Sequence, residues 1–277
     1  YVADWYEHRV FVVDADAGAI VAEWPTGRSP SGLAVSPDGT QLVSADRDSN
    51  QLTVFSITDG RVLQTIATGE RPFGVSFSPD GRHLASANVA SNSVTLIDAH
   101  SLQVIAEIAV GERPYAIAFA QGRMFVTNQY GGTVSVIDVA SRETLATIET
   151  GEYPEGIALS ADGGSVYVAN WFDNSLVRID AASLAITGRV TTGNGPRAFG
   201  NFITVSAASD SKPDSQPNSE PDSRSEPEPE PILMVGFELL EDHPDPTREA
   251  DQNRRIAALK TQFDRVVRER GLYAPLD

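Results

Sequence analysis

Gly69-Glu70-Arg71-Pro72 is one copy of a short motif, Gly-x-x-Pro, whose spacing decides the fold of this chain. The other copies are Gly27-Arg28-Ser29-Pro30, Gly111-Glu112-Arg113-Pro114, Gly151-Glu152-Tyr153-Pro154 and Gly193-Asn194-Gly195-Pro196. Successive glycines of the motif lie 42, 42, 40 and 42 residues apart. A fixed period of this length indicates a repeat architecture, in which each unit buries its faces against the next.

Each repeat contains a turn and four short strand-like runs. The turn begins nine residues after the glycine, in the form Ser36-Pro37-Asp38-Gly39 or a degenerate version of it such as Ala120-Gln121-Gly122. In the repeat that starts at Gly69, runs typical of strands cover residues 74–78, 83–87, 93–98 and 103–108. Four strands in roughly 40 residues match one blade of a β-propeller. No helical pattern precedes residue 247, which argues against a parallel α/β fold.

The strand after each turn carries a family signature. Tyr167-Val168-Ala169-Asn170, Phe125-Val126-Thr127-Asn128 and Tyr1-Val2-Ala3-Asp4 resemble the signature strand of YVTN propeller repeats. Within that family the chain is most similar to the propeller proteins associated with PQQ-dependent alcohol catabolism, which end in a motif similar to Gly195-Pro196-Arg197-Ala198-Phe199-Gly200. The resemblance implies an all-β propeller of four-stranded blades, seven in the intact protein, located in the periplasm or at the cell surface.

The chain divides into three predicted parts. Residues 1–203 form the YVTN-type propeller, with four complete blades, a first blade that lacks its innermost strand, and a solitary last strand at 197–203. That strand could complete the first blade and close a five-bladed ring, but we favour a fragment of seven blades whose amino-terminal blades are missing. Residues 204–231 are rich in Ser, Pro, Glu and Asp and predict a disordered linker. Residues 232–277 predict a small α+β segment of one strand and one helix, incomplete and similar to a small uncharacterised exported bacterial domain.

Charge and composition exclude several classes of partner. The formal net charge is −17, and neither the propeller nor the tail carries an excess of basic residues. Binding to nucleic acid or to an anionic membrane surface is therefore disfavoured. The chain has no cysteine, which excludes disulfides and thiolate chemistry, and no apolar run long enough to insert into a membrane.

The sequence gives little sign of catalytic or metal-binding chemistry. His8, His83, His100 and His243 are scattered, without the spacing of metal ligands. The segment Asp46-x-Asp48-x-Asn50 is similar to half of a calcium loop, but a solvated loop between strands is favoured because the glycine and the final carboxylate of a calcium loop are absent. Aspartates that end equivalent strands, such as Asp98, are predicted to bond turn amides. We predict no catalytic residue, no metal and no cofactor.

One end of the propeller is the predicted binding surface. In an antiparallel blade, the Gly-x-x-Pro connector and the loop after the signature strand project from the same end, where side chains vary from blade to blade. The candidate rim consists of Arg28, Arg71, Arg113, Tyr153, Trp5, Tyr6, His8, Tyr130, Trp171 and Phe172. Arginine and aromatic side chains are frequent anchors of binding sites. The alternative is structural: the arginines pair with Glu70, Glu112 and Glu152, and the aromatic rings fill gaps between blades.

These observations predict a binding or scaffolding protein that is not an enzyme. The resemblance places it beside PQQ-dependent alcohol catabolism or its transport system, with a protein partner or a small ligand on the rim. One alternative is a propeller enzyme of the lactonase or quinoprotein type. Another is a surface-layer or adhesion protein, in which the linker and tail act as a tether.

Overall fold

The computed structural model describes residues 1–198 together with residues 202 and 203. The chain divides into two compact units, Tyr1–Ser209 and Asp210–Asp277, and the second unit lies outside the described residues. The predicted linker (204–231) and the predicted strand and helix of 232–277 therefore also lie outside them. Within the described residues, the structure consists of strands and one short 3-10 helix, Arg47–Ser49.

The strands form five antiparallel sheets in chain order. The first sheet contains β1 (Val2–Asp4), β2 (Arg9–Asp14) and β3 (Ala19–Pro25). The second contains β4 (Pro30–Val35), β5 (Gln41–Asp46), β6 (Gln51–Ser56) and β7 (Val62–Ala67), and the third contains β8 (Pro72–Phe77), β9 (His83–Asn88), β10 (Ser93–Asp98) and β11 (Gln103–Ala109). The fourth contains β12 (Pro114–Ala120), β13 (Arg123–Asn128), β14 (Thr133–Asp138) and β15 (Thr144–Glu149), and the fifth contains β16 (Pro154–Leu159), β17 (Ser165–Asn170), β18 (Ser175–Asp180) and β19 (Ile186–Thr191).

This arrangement confirms the predicted all-β propeller. Four sheets have four strands each, and the first has three because it lacks the strand that precedes β1. We refer to the sheets as blades 1 to 5. Of the predicted last strand at 197–203, residues 197, 198, 202 and 203 are described, and none of them is in a strand. No helix in the described part of the chain has the length and apolarity needed to cross a membrane.

The first strands of blades 2 to 5 lie side by side around an inner channel. β4 contacts β8, β8 contacts β12, and β12 contacts β16. Residues of all four strands line a cavity of about 940 Å³. The strands approach closely because small residues face the neighbouring backbone: a Cβ at Gly74 would collide with the carbonyl oxygen of Tyr115.

The hydrophobic core lies between blades and is divided into separate clusters. Blade 1 meets blade 2 through Val10, Trp24, Leu42 and Phe55, all of them buried. Further clusters join blades 2 and 3, blades 3 and 4, and blades 4 and 5. Burying each large aliphatic side chain contributes about 1.5–3 kcal/mol, so every blade depends on its neighbours for most of its stability.

The aspartates that end equivalent strands perform the structural role predicted for them. The carboxylate of Asp98 accepts hydrogen bonds from the backbone N–H groups of His100 and Ser101 and from the Ser101 hydroxyl. Asp180 accepts the equivalent bonds from Ser183. These bonds hold the pKa of both carboxyl groups below the ordinary value.

Candidate functional site

The Gly-x-x-Pro connectors and the loops after the signature strands are joined by backbone hydrogen bonds at one end of the channel. The N–H of Gln129 donates to the carbonyl of Arg113 at 2.9 Å, and the N–H of Trp171 donates to the carbonyl of Tyr153 at 2.9 Å. Each blade therefore brings three variable positions to this end: the residue before the motif proline, the residue after it, and the residue after the signature strand. We call this end the channel mouth. In chain order its residues are Trp5, Ser29, Ser31, Arg47, Arg71, Phe73, Val89, Arg113, Tyr115, Gln129, Tyr153, Glu155, Trp171, Gly195 and Arg197.

The residue before each motif proline has a left-handed backbone. Arg71, Arg113 and Tyr153 have φ values of 55°, 54° and 58°. A left-handed conformation costs a residue other than glycine about 1–2 kcal/mol. A side chain of the preceding blade supports it, since Asn92 Oδ1 accepts the N–H of Arg113 at 2.8 Å. The conformation is therefore part of the fold, while the side chain that it presents differs between blades.

Glu155 connects several polar side chains of the mouth. It follows the motif proline of blade 5 and is completely buried. Its Oε2 accepts a hydrogen bond from Nε of Arg197 at 2.6 Å, and its Oε1 accepts one from Nη2 of the same guanidinium at 3.0 Å. Oε1 also accepts a hydrogen bond from Nε2 of Gln129 at 2.6 Å. The carboxylate thus fixes an arginine on one side and an amide on the other.

Gln129 in turn positions a second arginine. Its Oε1 accepts a hydrogen bond from Nε of Arg113 at 2.6 Å. The side chains therefore form one continuous chain, Arg197–Glu155–Gln129–Arg113, in which each polar group orients the next. A paired, hydrogen-bonded carboxylate of this kind holds two guanidinium groups in place at the mouth.

Burial and pairing act on the ionisable groups in opposite directions. Burial raises the pKa of the Glu155 carboxyl above its ordinary value, while Arg197 and the hydrogen bond from Gln129 oppose the rise. Burial also acts to lower the pKa of Arg197, but the ion pair with Glu155 outweighs it, and that pKa is raised. Burial raises the pKa of the Tyr115 hydroxyl, with a further contribution from the charge of Glu155. Tyr115 is therefore neutral at physiological pH.

Arg47 is a further arginine of the mouth. Arg47 is 7% exposed, and its guanidinium pairs with Asp48 at 2.6 Å. Asp48 also accepts a hydrogen bond from the Ser29 hydroxyl at 2.7 Å. Burial lowers the pKa of Arg47, and the positive charges of Arg71 and Arg113 lower it further. The ion pair with Asp48 opposes these effects on the pKa of Arg47.

Aromatic rings accompany the arginines. The guanidinium of Arg197 lies 4.2 Å from the ring centre of Trp171, that of Arg113 lies 4.8 Å from Tyr130, and that of Arg47 lies 5.4 Å from Trp5. Such contacts stabilise a guanidinium by about 0.5–1 kcal/mol at exposed sites and by more where water is excluded.

Two further aromatic rings stack on each other inside the mouth. Phe73 and Tyr115 stack with their ring centres 4.3 Å apart and their planes 27° apart. Trp5 lies next to Phe73, at 6.5 Å between ring centres. All three side chains line the channel cavity.

Seven of the ten predicted rim residues lie at the mouth or in ring contact with it. They are Trp5, Arg71, Arg113, Tyr130, Tyr153, Trp171 and Phe172. Tyr153 is buried, with its ring 4.4 Å from that of Phe172 and 5.8 Å from that of Trp171.

Three of the predicted rim residues occupy other places. Arg28 is one position out of register with Arg71, because it follows the motif glycine directly. Its exposed guanidinium donates to the backbone carbonyl of Asp48 at 2.7 Å. Tyr6 is 62% exposed, and His8 is exposed and accepts the N–H of Ser29 through Nδ1 at 3.1 Å.

Sequence reasoning missed most of the hydrogen-bonded polar residues of the mouth. Arg47, Gln129, Glu155 and Arg197 were not among the predicted residues, nor were the stacked rings of Phe73 and Tyr115. A signal was present in the repeat: the residue after the motif proline is in turn Ser, Phe, Tyr, Glu and Arg, while the proline itself does not change.

The half calcium loop is part of the scaffold. Asp46 is completely buried, where a solvated loop was predicted. Its carboxylate accepts hydrogen bonds from the Gly27 N–H at 2.9 Å and from the Ser44 hydroxyl at 2.6 Å. Within the described part of the chain, no three His, Asp or Glu side chains are grouped as they would be to hold a metal ion.

Comparison with known proteins supports the same fold. A family model described as "Lactonase, 7-bladed beta-propeller" matches residues 9–103. The described chain has the β-propeller fold. No curated protein sequence matches it.

Many solved structures resemble the chain. Hydrazine synthase of Kuenenia stuttgartiensis is similar with a TM-score of 0.55 and 24% identity, over 58% of this chain and 48% of that one. Dihydro-heme d1 dehydrogenase NirN in complex with DHE is similar with a TM-score of 0.57 and 20% identity, over 69% of this chain and 43% of that one. The chain thus spans less than half the length of each of these structures, and at this level of identity the likeness shows the fold alone.

These comparisons correct one prediction. The chain was expected not to be an enzyme, yet the family model that matches residues 9–103, from β2 to the start of β11, is that of the lactonases. That prediction is wrong, because it rested on the lack of metal-ligand spacing among the histidines and acidic residues, and it took the arginines of the rim only as anchors for a partner or ligand.

Proposed function

We propose that this propeller is an enzyme of the lactonase type, which opens a small cyclic ester at the channel mouth. The observation that carries the proposal is the lactonase family match over residues 9–103, which includes Arg47 and Arg71 of the mouth. A lactone is small enough for the channel cavity of about 940 Å³.

The arginines supply the electrostatic part of the chemistry. When water adds to a lactone carbonyl, negative charge develops on the carbonyl oxygen, and fixed donors aimed at that oxygen lower the barrier. The guanidinium of Arg197 is held by Glu155 at 2.6 Å, and that of Arg113 is held by Gln129 at 2.6 Å. Groups fixed before the reaction need no reorganisation during it, so these two arginines are our candidates for stabilising the oxyanion.

Glu155 acts through these arginines as a positioning residue. Both of its oxygens already accept hydrogen bonds within the protein, and the side chain is completely buried. In the reaction, the oxygen of water bonds to the carbonyl carbon and the ring C–O bond breaks. The ring oxygen becomes a hydroxyl, and the new carboxylic acid ionises, so each turnover releases one proton.

Proton release gives a direct assay. We expect a pH-stat to record hydrolysis of 5-oxotetrahydrofuran-3-carboxylate, a γ-lactone with a carboxylate, by the full chain. Replacing Arg197 with Gln should lower kcat/KM by about a hundredfold, the usual cost of losing one oxyanion donor. The matched control is Arg82→Gln, which removes a charge whose side chain is 80% exposed and pairs with Asp80.

Two results would refute the proposal. One is a rate with the wild-type chain no higher than that of buffer on carboxylated and neutral γ- and δ-lactones. The other is equal activity of the Arg197→Gln and wild-type chains. The periplasmic or cell-surface location and the association with PQQ-dependent catabolism remain predictions from resemblance.

A further inference from the structure

The turns at the end of the channel opposite the mouth differ in length. Five residues, 78–82 and 160–164, join the first two strands of blades 3 and 5, whereas Gln121 and Gly122 alone join those of blade 4. Both have a left-handed backbone, with φ values of 51° and 73°, as in a tight two-residue hairpin. Because blade 4 lies between blades 3 and 5, its short turn leaves a gap between two longer ones.

This gap is a groove of about 540 Å³, which we call the turn groove. The three turns contribute residues 78–80, 121–122 and 162–163 to its lining. Pro79, Val139 and Leu159, all at least partly exposed, and the buried Phe119 also line it. Ligand sites in proteins typically have volumes of about 300–1,000 Å³ and a mostly apolar lining with a few polar groups. The turn groove meets both conditions.

Two charged side chains of the turn groove have an opposite charge beside them. Asp80 pairs with Arg82, whose Nε lies 3.7 Å from its Oδ2. Arg123 lies opposite Asp138 on the neighbouring strand. Hydrogen bonds from Ser141 lower the pKa of the Asp138 carboxyl, and the charge of Arg123 lowers it further. The charges of Asp80 and Arg123 are therefore compensated within the protein.

Asp162 has no such compensation. Its Oδ1 accepts hydrogen bonds from the Ser160 hydroxyl at 2.5 Å and from the Gly164 N–H at 2.9 Å. These bonds lower the pKa of the carboxyl, so it is ionised at neutral pH, and among the described residues no charged side chain contributes to the shift. The side chain is exposed. An apolar groove with one carboxylate that lacks a counter-ion favours a ligand with one positive charge.

We propose that the turn groove binds a small amphiphilic amine, whose apolar part lies against Pro79, Val139 and Leu159 and whose ammonium group pairs with Asp162. Removing the apolar part from water supplies most of the affinity, and the ion pair selects the sign of the charge. The net charge of −17 also draws cations toward the protein. This site lies at the opposite end of the channel from the mouth and does not depend on the function proposed above.

Four probes separate the contributions of charge and apolar surface. 4-Phenylbutylamine carries both groups, 4-phenylbutan-1-ol is its neutral analogue, 5-phenylpentanoate is its anionic analogue, and ethylamine is a cation with little apolar surface. We expect calorimetric titration of the full chain at about pH 8, where alkylamines are protonated, to give 4-phenylbutylamine a Kd below about 1 mM. The alcohol should bind about fivefold more weakly, since it forms no ion pair, and the anion and ethylamine should bind more weakly still.

Variants locate the site. Asp162→Asn should weaken binding of the amine about fivefold, to the level of the alcohol, and should leave binding of the alcohol unchanged. The matched control is Asp38→Asn, which removes the carboxylate of the equivalent turn in blade 2, where Ser36 and Thr40 donate to it.

A second variant tests the shape of the groove. Replacing residues 120–122 with the sequence of residues 78–82 gives blade 4 a turn as long as those of blades 3 and 5. The longer turn fills the groove and should abolish binding of both the amine and the alcohol. Circular dichroism of each variant verifies that the propeller is folded.

The proposal is overturned if 4-phenylbutylamine does not bind, if it binds no more tightly than the alcohol or the anion, or if Asp38→Asn weakens its binding as much as Asp162→Asn does. Unchanged binding of the amine by the variant with the longer turn would also overturn it, because the ligand would then bind elsewhere. Lactone hydrolysis by Asp162→Asn should equal that of the wild type, so the channel mouth and the turn groove are tested separately.

Discussion

Glu155 and Arg197, which are 42 residues apart, form a two-point ion pair in which both carboxylate oxygens accept hydrogen bonds from one guanidinium, at 2.6 and 3.0 Å. The pair joins the first strand of blade 5 to the segment that follows the last strand of that blade. It therefore holds the segment that follows the last described strand against the channel mouth.

Loss of the buried carboxylate should destabilise the protein. Glu155→Gln leaves the guanidinium of Arg197 without its counter-ion, and breaking a buried ion pair costs about 3–5 kcal/mol. Because 34% of the Arg197 side chain is accessible to water, we expect a smaller loss, of about 2 kcal/mol, in the free energy of unfolding measured in urea. Glu112→Gln, at an exposed position, is the control, and an equal effect of the two substitutions would contradict the role assigned to Glu155.

Gln129 and Arg113 should act as one unit. Gln129→Leu removes the acceptor that fixes Arg113 and should lower lactone kcat/KM by about tenfold, chiefly through kcat. Arg113→Gln should lower it further, and the double variant should be no worse than Arg113→Gln alone. Strict additivity in this double-mutant cycle would show that the 2.6 Å contact between them does not position the arginine.

Two arginines of different Gly-x-x-Pro connectors should differ sharply in their importance for catalysis. Arg28 lies one position out of register with the arginines of the mouth, and its exposed guanidinium donates to the backbone carbonyl of Asp48. Arg28→Gln should therefore leave kcat/KM within about twofold of the wild type, whereas Arg113→Gln should lower it by about a hundredfold. Similar losses of kcat/KM in both variants would mean that the catalytic site also includes Arg28.

Close packing of the inner strands should make Gly74 intolerant of any side chain. Gly74→Ala places a methyl group against the carbonyl oxygen of Tyr115, and overpacking of this kind costs about 1–3 kcal/mol. Gly193→Ala is the matched control, since no heavy atom lies within 4 Å of its added Cβ. Urea unfolding of the two variants compares them directly, and equal stability would show that β8 and β12 can separate without cost.

The turn aspartates should make the fold sensitive to acid. Turn hydrogen bonds hold the pKa of Asp98 below its ordinary value of 3.8, so the carboxylate stabilises the folded state above that value. The contribution is lost as the pH falls through the lowered pKa. Asp98→Asn should therefore reduce Tm near neutral pH and should differ less from the wild type at about pH 3. A difference in Tm that does not depend on pH would show that the effect comes from the shape of the Asp98 side chain and not from its charge.

The repeat could be predicted in detail because each of its sequence signals lies within a few neighbouring residues. The Gly-x-x-Pro motif, the turn and the period-2 runs each depend on neighbouring residues, and the structure places the four strands of blade 3 close to the predicted positions. Glu155 was harder to recognise, since its own neighbours mark it only as part of a strand. Its importance depends on Gln129, 26 residues earlier, and on Arg197, 42 residues later.

The sequence by itself determined the blade, its boundaries and the end of the propeller at which variable residues gather, because strand periodicity and turn chemistry are properties of short segments. Only the tertiary structure decided which variable residues meet. Stacking the sheets brings Trp5, Arg47 and Phe73 together from three blades, and it sets Glu155 between Gln129 and Arg197. Distances between blades follow from sheet packing around an axis, and no local pattern along the chain contains them.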